Sequence, residues 1–112
     1  MTIEEKQYGS VAVLSLRGDF WRGTAWDVHQ KVKSLIENNT KHVVLDFSLI
    51  DRINSQGIGA VVASLKVIRD TGGDLRIACA NQYIKDTFRV VNLFTILEEC
   101  DTIEQAIEKF GI

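Results

Sequence analysis

An α/β domain with a mixed, mostly parallel β-sheet, an N-terminal β-hairpin and about four α-helices is the architecture this sequence predicts. Three observations carry it. Strand-like and helix-like segments alternate along most of the chain, and alternation at these lengths builds parallel pairs through crossover helices. The start is different: two alternating stretches flank the turn signal Gly9-Ser10 and read as a hairpin. The apolar run Val43-Val-Leu-Asp46 reads as a buried central strand.

Each element has its own signal. Residues 2–7 alternate weakly around Ile3 and suit an edge strand; Val11-Ala-Val-Leu-Ser-Leu-Arg17 alternates clearly. A loop bracketed by Gly18 and Gly23 follows. Thr24, with Asp27 three residues on, reads as the cap of a helix whose inward face is Ala25, Val28, Val32, Leu35 and Ile36. Asn38-Asn39 stops it, because asparagine tolerates the left-handed conformation of a helix end. Residues 42–47 form the central strand. A second helix, residues 55–71, turns Ile58, Val61, Val62, Leu65 and Ile68 inward and ends at Gly72-Gly73. Residues 74–80 are the next strand. Asn81 caps a short helix to about Val91, with Ile84, Phe88 and Val91 inward; residues 94–97 read as a short strand. The last helix, residues 102–110, is capped by Thr102 with Gln105 at the box position.

At 112 residues, 46% apolar and 25% charged, the chain predicts one domain over 1–112 with a core of its own. A net charge of −2 with no basic run excludes a nucleic-acid footprint and a membrane patch. No apolar stretch approaches the ~20 residues of a membrane helix, so a soluble, cytoplasmic protein without membrane insertion is expected. Cys79 and Cys100 lack metal-type spacing and read as reduced, packed thiols, with a disulfide between them as the alternative.

The stretch that carries function is the turn after the central strand. Ser55 stands at the first turn of a helix, where amides lack partners and the dipole favours negative charge. A plain N-cap there contributes roughly 1 kcal/mol; the same place suits a phosphate. Gly57, Gly59, Ala60 and Ala63 leave the backbone near Ser55 open to a partner. Gly57-Ile58-Gly59 is no dinucleotide fingerprint, because Val62 stands where the third glycine belongs. Asp46 and Asp51 flank the turn, where ligand sites of open α/β sheets lie. The competing reading gives Asp46 to the turn backbone and Asp51 to solvent, and lets Asn54 bond turn amides. With His29 and His42 far apart, no catalytic set, metal site or cofactor is expected. Of Phe20 and Trp21, adjacent aromatics in a short loop, one is expected to plug the core. Trp21 is the interface candidate, with Trp26 extending its surface.

Val43-Val-Leu-Asp-Phe, then Ile53-Asn-Ser-Gln-Gly-Ile-Gly, then a helix ending in Gly72-Gly73 before Leu75-Arg-Ile, resembles the STAS domain. More closely it is similar to the stand-alone anti-sigma factor antagonists of bacteria, over essentially the whole chain. The resemblance implies a non-enzymatic protein that switches partners; a monomer is expected. In that family the serine after the acidic position of a D-S-x-G-L/I-G motif is phosphorylated by an anti-sigma factor that is itself a serine/threonine kinase. Ser55 occupies that position. The unphosphorylated protein binds the anti-sigma factor and frees the sigma factor, and a PP2C-type phosphatase resets it. The partner-binding surface is then expected at Asp19, Trp21, Asn54, Gln56, Gly57, Ile58 and Gly59. Asn54 departs from the motif's aspartate, and Gln56 from the small residue that often follows the serine. The alternatives are an accessory STAS subunit of an ABC-type phospholipid transporter and a small-molecule-binding or enzymatic α/β domain.

Overall fold

A computed structural model describes residues 2–18, 20 and 22–111, with the side chains of residues 22–24 outside that description. The elements are β1 (Thr2–Tyr8), β2 (Val11–Arg17), α1 (Arg22–Glu37), β3 (His42–Leu49), α2 (Ser55–Arg69) and β4 (Asp74–Ala78). After them come α3 (Gln82–Val90), a 3-10 turn (Leu93–Thr95), β5 (Glu98–Cys100) and α4 (Ile103–Glu108). The strands lie in the order β1-β2-β3-β4-β5, with β1 antiparallel to β2 and the other neighbours parallel. The expected hairpin and mostly parallel sheet are both present.

Strand periodicity sorts the sheet into two faces. Ala12, Leu14, Leu16, Val43, Leu45, Phe47, Leu75 and Ile77 join the core built with α1, α2 and α3. Val11, Val13, Val44, Ala78 and Cys100 turn to the other face, where Ala106 of α4 covers them with Ile103, Ile107 and Phe110. β3 is buried from Val43 to Phe47 because both its faces are covered. Phe47 stacks between Phe20 and Phe88, with ring centroids 5.4 and 6.2 Å away. Burying each of these rings contributes about 2–3 kcal/mol. Among the described residues no helix is long and apolar enough to cross a membrane.

Several expectations need correction. α1 begins at Arg22, so Thr24 lies inside the helix and is not its cap. Phe20, two residues before the helix, is paired with Ile53. Asn39 does adopt the left-handed conformation, φ 68°. Residues 94–97 are not a strand. Asn92 turns left-handed after α3, and the Leu97 N–H donates to the Leu93 carbonyl at 3.0 Å. Leu93 and Leu97 are buried four apart while Ile96 is exposed, which is a helical period. The edge strand is instead the charged segment Glu98–Cys100. The same break at Asn92 leaves Val91 half exposed, whereas Ile84 and Phe88 are buried as expected. β4 ends at Ala78, so Cys79 lies beyond it, half-buried with φ 63°. Both cysteines are free, and burial pushes each thiol above its ordinary range.

α2 is also rotated from the expected face. Its buried residues are Gly57, Ala60, Val61, Ser64, Leu65 and Ile68, with Ile58 and Val62 only half-buried. The reason is at Gly57, where a Cβ would stand 2.5 Å from the Ile53 and Phe20 side chains. Bulk cannot point that way.

The β5 edge is held by charge. The Glu98 carboxylate accepts from Lys109 Nζ at 2.7 Å and from Arg76 Nε at 3.1 Å, and the Arg76 guanidinium stacks 4.2 Å from the Phe110 ring. The Lys109 hydrogen bond, and then that of Arg76, hold the Glu98 carboxyl below its ordinary range. A depressed carboxyl pKa stabilises the fold above the unfolded value, and that contribution is lost as the pH falls through the folded value. Glu98→Gln is therefore expected to melt about 1–3 °C below the wild type at pH 7, a small effect because the pair is exposed. Thermal melts taken downward in pH should show the gap closing below the ordinary glutamate range. A gap that persists in acid would mean the side chain acts through packing instead.

Candidate functional site

The turn from β3 to α2 alternates between buried and exposed residues, and that alternation builds the site. Ile50 is buried, and its N–H donates to the Phe47 carbonyl at 3.0 Å. Asp51 and Arg52 are exposed; Ile53 turns inward again and pairs with Phe20 in a parallel bridge. That bridge sets the β2–α1 loop beside the β3–α2 turn, at the same end of the sheet. Phe20 is the core plug of its loop and is fully buried. Asp19 and Trp21, its two neighbours, lie outside the described residues. Trp26 is 41% exposed and packs edge-on to His29 at 5.5 Å. Burial, and then the charge of Lys33, lowers the pKa of His29.

Asn54, not Ser55, is the N-cap of α2. Its backbone is extended, and its Oδ1 accepts the Gly57 N–H at 3.0 Å while its carbonyl accepts the Ile58 N–H at 2.9 Å. Either residue has a side chain able to cap. An amide one residue before the helix reaches the third amide, which frees the Ser55 hydroxyl from cap duty. Ser55 is the first helical residue, exposed between exposed Asn54 and exposed Gln56. The amides of Ser55 and Gln56, orphaned at a helix start, are left to solvent or a ligand. Gly59 is half-buried and a Cβ there meets open space. Gly57 is buried, so its small size serves close packing on Phe20 and Ile53. Asn54, Ser55, Gln56, Ile58 and Gly59 thus form one uncharged, accessible patch at the positive end of α2.

Of the two carboxylates near the turn, Asp46 is held in hydrogen bonds of its own. Asp46 is 6% exposed; it accepts from Ser15 Oγ at 3.0 Å and from the Ser48 N–H at 2.9 Å. It bonds backbone, as its milder reading has it, and Asp51 is exposed. Among the described residues, no group of three or more His, Cys, Asp and Glu is arranged to hold a metal ion.

Two features of the site escaped the sequence. Arg52 lies over the Tyr83 ring at 6.0 Å. Asn81, the expected cap of α3, also donates through Nδ2 to the Ile50 and Asp51 carbonyls at 3.3 and 3.0 Å.

A family model described as STAS domain matches residues 2–108. The chain is 21% identical over 113 residues to the anti-sigma F factor antagonist of Paenibacillus polymyxa, across all of this chain and 97% of that protein. The anti-sigma factor antagonist SpoIIAA in its unphosphorylated form superposes with a TM-score of 0.83 at 17% identity, covering 99% of this chain and 98% of that one. The Bacillus cell fate determinant SpoIIAA in its phosphorylated form gives 0.74 at 15% identity, covering 97% and 99%. At these identities the structural likeness is one of fold.

Proposed function

From the premise that this chain belongs to the STAS domain family, we propose that it is a non-enzymatic anti-sigma factor antagonist switched by phosphate at Ser55. In its unphosphorylated form it binds an anti-sigma factor serine/threonine kinase, and the sigma factor is released. The observation that carries the reading is the freedom of Ser55: exposed, first in its helix, with Asn54 doing the capping. Two relatives support it. One is named an anti-sigma F factor antagonist, and another has a structure in a phosphorylated form.

In the transfer, Ser55 Oγ forms a bond to the terminal phosphorus of ATP held by the kinase, and the bond to the ADP oxygen breaks. The hydroxyl proton passes to a base of the kinase, since the neighbours Asn54 and Gln56 are amides and Asp46 is buried among its own partners. The product adds about −1.5 to −2 charge to an uncharged patch. Positioned at the positive end of α2, that charge leaves the fold standing. On a surface shaped for a protein partner it opposes docking by desolvation and repulsion. A PP2C-type phosphatase removes it, and the whole cycle takes place in the cytoplasm.

Intact mass of the protein from its own cells, with and without phosphatase, tests this. The expected result is a phosphatase-sensitive gain of one phosphate that peptide mapping places on Ser55. Protein unmodified in every growth and stress condition would move the transporter-subunit reading to the front.

A further inference from the structure

Asn81 stands thirty residues from the turn it touches, yet its side chain hydrogen-bonds both that turn and α3. Its Oδ1 accepts the Ile84 N–H at 2.8 Å and so caps α3. Its Nδ2 donates to the Asp51 carbonyl at 3.0 Å and to the Ile50 carbonyl at 3.3 Å. Ser or Asp would serve the cap equally well, because capping needs only an acceptor oxygen. Two carbonyls need two N–H donors on one atom, which a terminal amide supplies and a hydroxyl or carboxylate does not.

The segment so held is the weak span of the turn. Ile50 and Ile53 on either side are anchored by burial, the latter by its bridge to Phe20. Asp51 and Arg52 between them are exposed, and Arg52 in turn lies over Tyr83 in the first turn of α3. Both links from this span run to α3. Beyond Ile53 comes Asn54, which must keep its extended backbone to cap α2 and present Ser55.

We propose that Asn81 is a positioning residue for Ser55: its amide fixes the β3–α2 turn, and with it the attitude of the hydroxyl that receives phosphate. The inference rests on Ser55 being the phosphoacceptor.

Asn81→Ser and Asn81→Asp, made in the full chain, separate the two duties of the residue. Both keep an acceptor for Ile84. Serine loses the donors, and aspartate sets a carboxylate against two carbonyls, so aspartate should have the larger effect. Amide exchange by NMR should leave α3 protected in both, with the Ile50, Gly57 and Ile58 amides exchanging about three- to tenfold faster. Phosphate occupancy of Ser55 in cells, by intact mass, should fall in the same order. Turn amides exchanging as in the wild type would overturn the tie itself. Faster turn exchange with unchanged occupancy would overturn the positioning role. A wild type that never carries phosphate would instead bring down the reading of Ser55, and the exchange data would still report whether Asn81 holds the turn.

Discussion

Gly57→Ala is expected to lower stability by about 3 kcal/mol, the upper end of the cost of overpacking a filled site. For a domain of this size that is a fall in Tm of about 10–20 °C. A Cβ at Gly57 would stand 2.5 Å from Phe20 Cδ1, from Ile53 Cγ1 and from the Phe20 carbonyl oxygen. The two side chains belong to the bridge that joins the loops, and the carbonyl is backbone, so no rotamer change relieves all three. Relief has to come from moving α2 off the Phe20–Ile53 pair, which also loosens the turn that carries Ser55. Gly59→Ala is the matched control, two residues along the same helix with open space around its Cβ. There the gain in helix propensity of about 0.5–1 kcal/mol should raise Tm slightly. Thermal melts of the two variants should therefore move in opposite directions. Equal shifts would show that Gly57 is small for some reason other than the contact with Phe20.

How far the sequence reaches depends on how local the deciding interaction is. The hairpin turn at Gly9-Ser10, the stop of α1 at Asn39 and the cap of α3 at Asn81 are settled within a few residues, and each is where the pattern puts it. The inward turn of Gly57 is not local: it is decided by Phe20, which arrives from another loop. Residues 94–97 mislead because a run of apolar residues reads equally as strand or helix. Only the left-handed Asn92 and the burial of Leu93 with Leu97 decide between them. At the site itself, Asn54 and Ser55 are adjacent residues that can both cap, so residue type alone does not say where α2 begins. Ile53 had a visible signal, a lone apolar residue among polar ones. The second duty of Asn81 had none, because its acceptors are main-chain carbonyls thirty residues away.

Under the proposed switch, Ser55→Asp is expected to weaken binding to an anti-sigma factor kinase by at least about a hundredfold, since an uncompensated charge at a buried contact costs several kcal/mol. Asn54 and Gln56 on either side of Ser55 are uncharged, so its immediate neighbours do not neutralise the new carboxylate when a partner removes its water. The fold should not pay for this. A carboxylate in the first turn of a helix is favoured by about 0.3–1 kcal/mol, so the variant should melt at or slightly above the wild-type temperature with an unchanged helical CD signal. Ser55→Asn, similar in size and uncharged, separates bulk from charge and should bind within a few fold of the wild type. Ser55→Ala should bind and refuse phosphate. Calorimetric titration of the three variants against the kinase gives the order directly. Binding retained by Ser55→Asp would mean that the partner does not cover the hydroxyl. Loss in Ser55→Asn as large as in Ser55→Asp would mean that the surface discriminates by shape, and phosphate would then act as an obstacle more than as a charge.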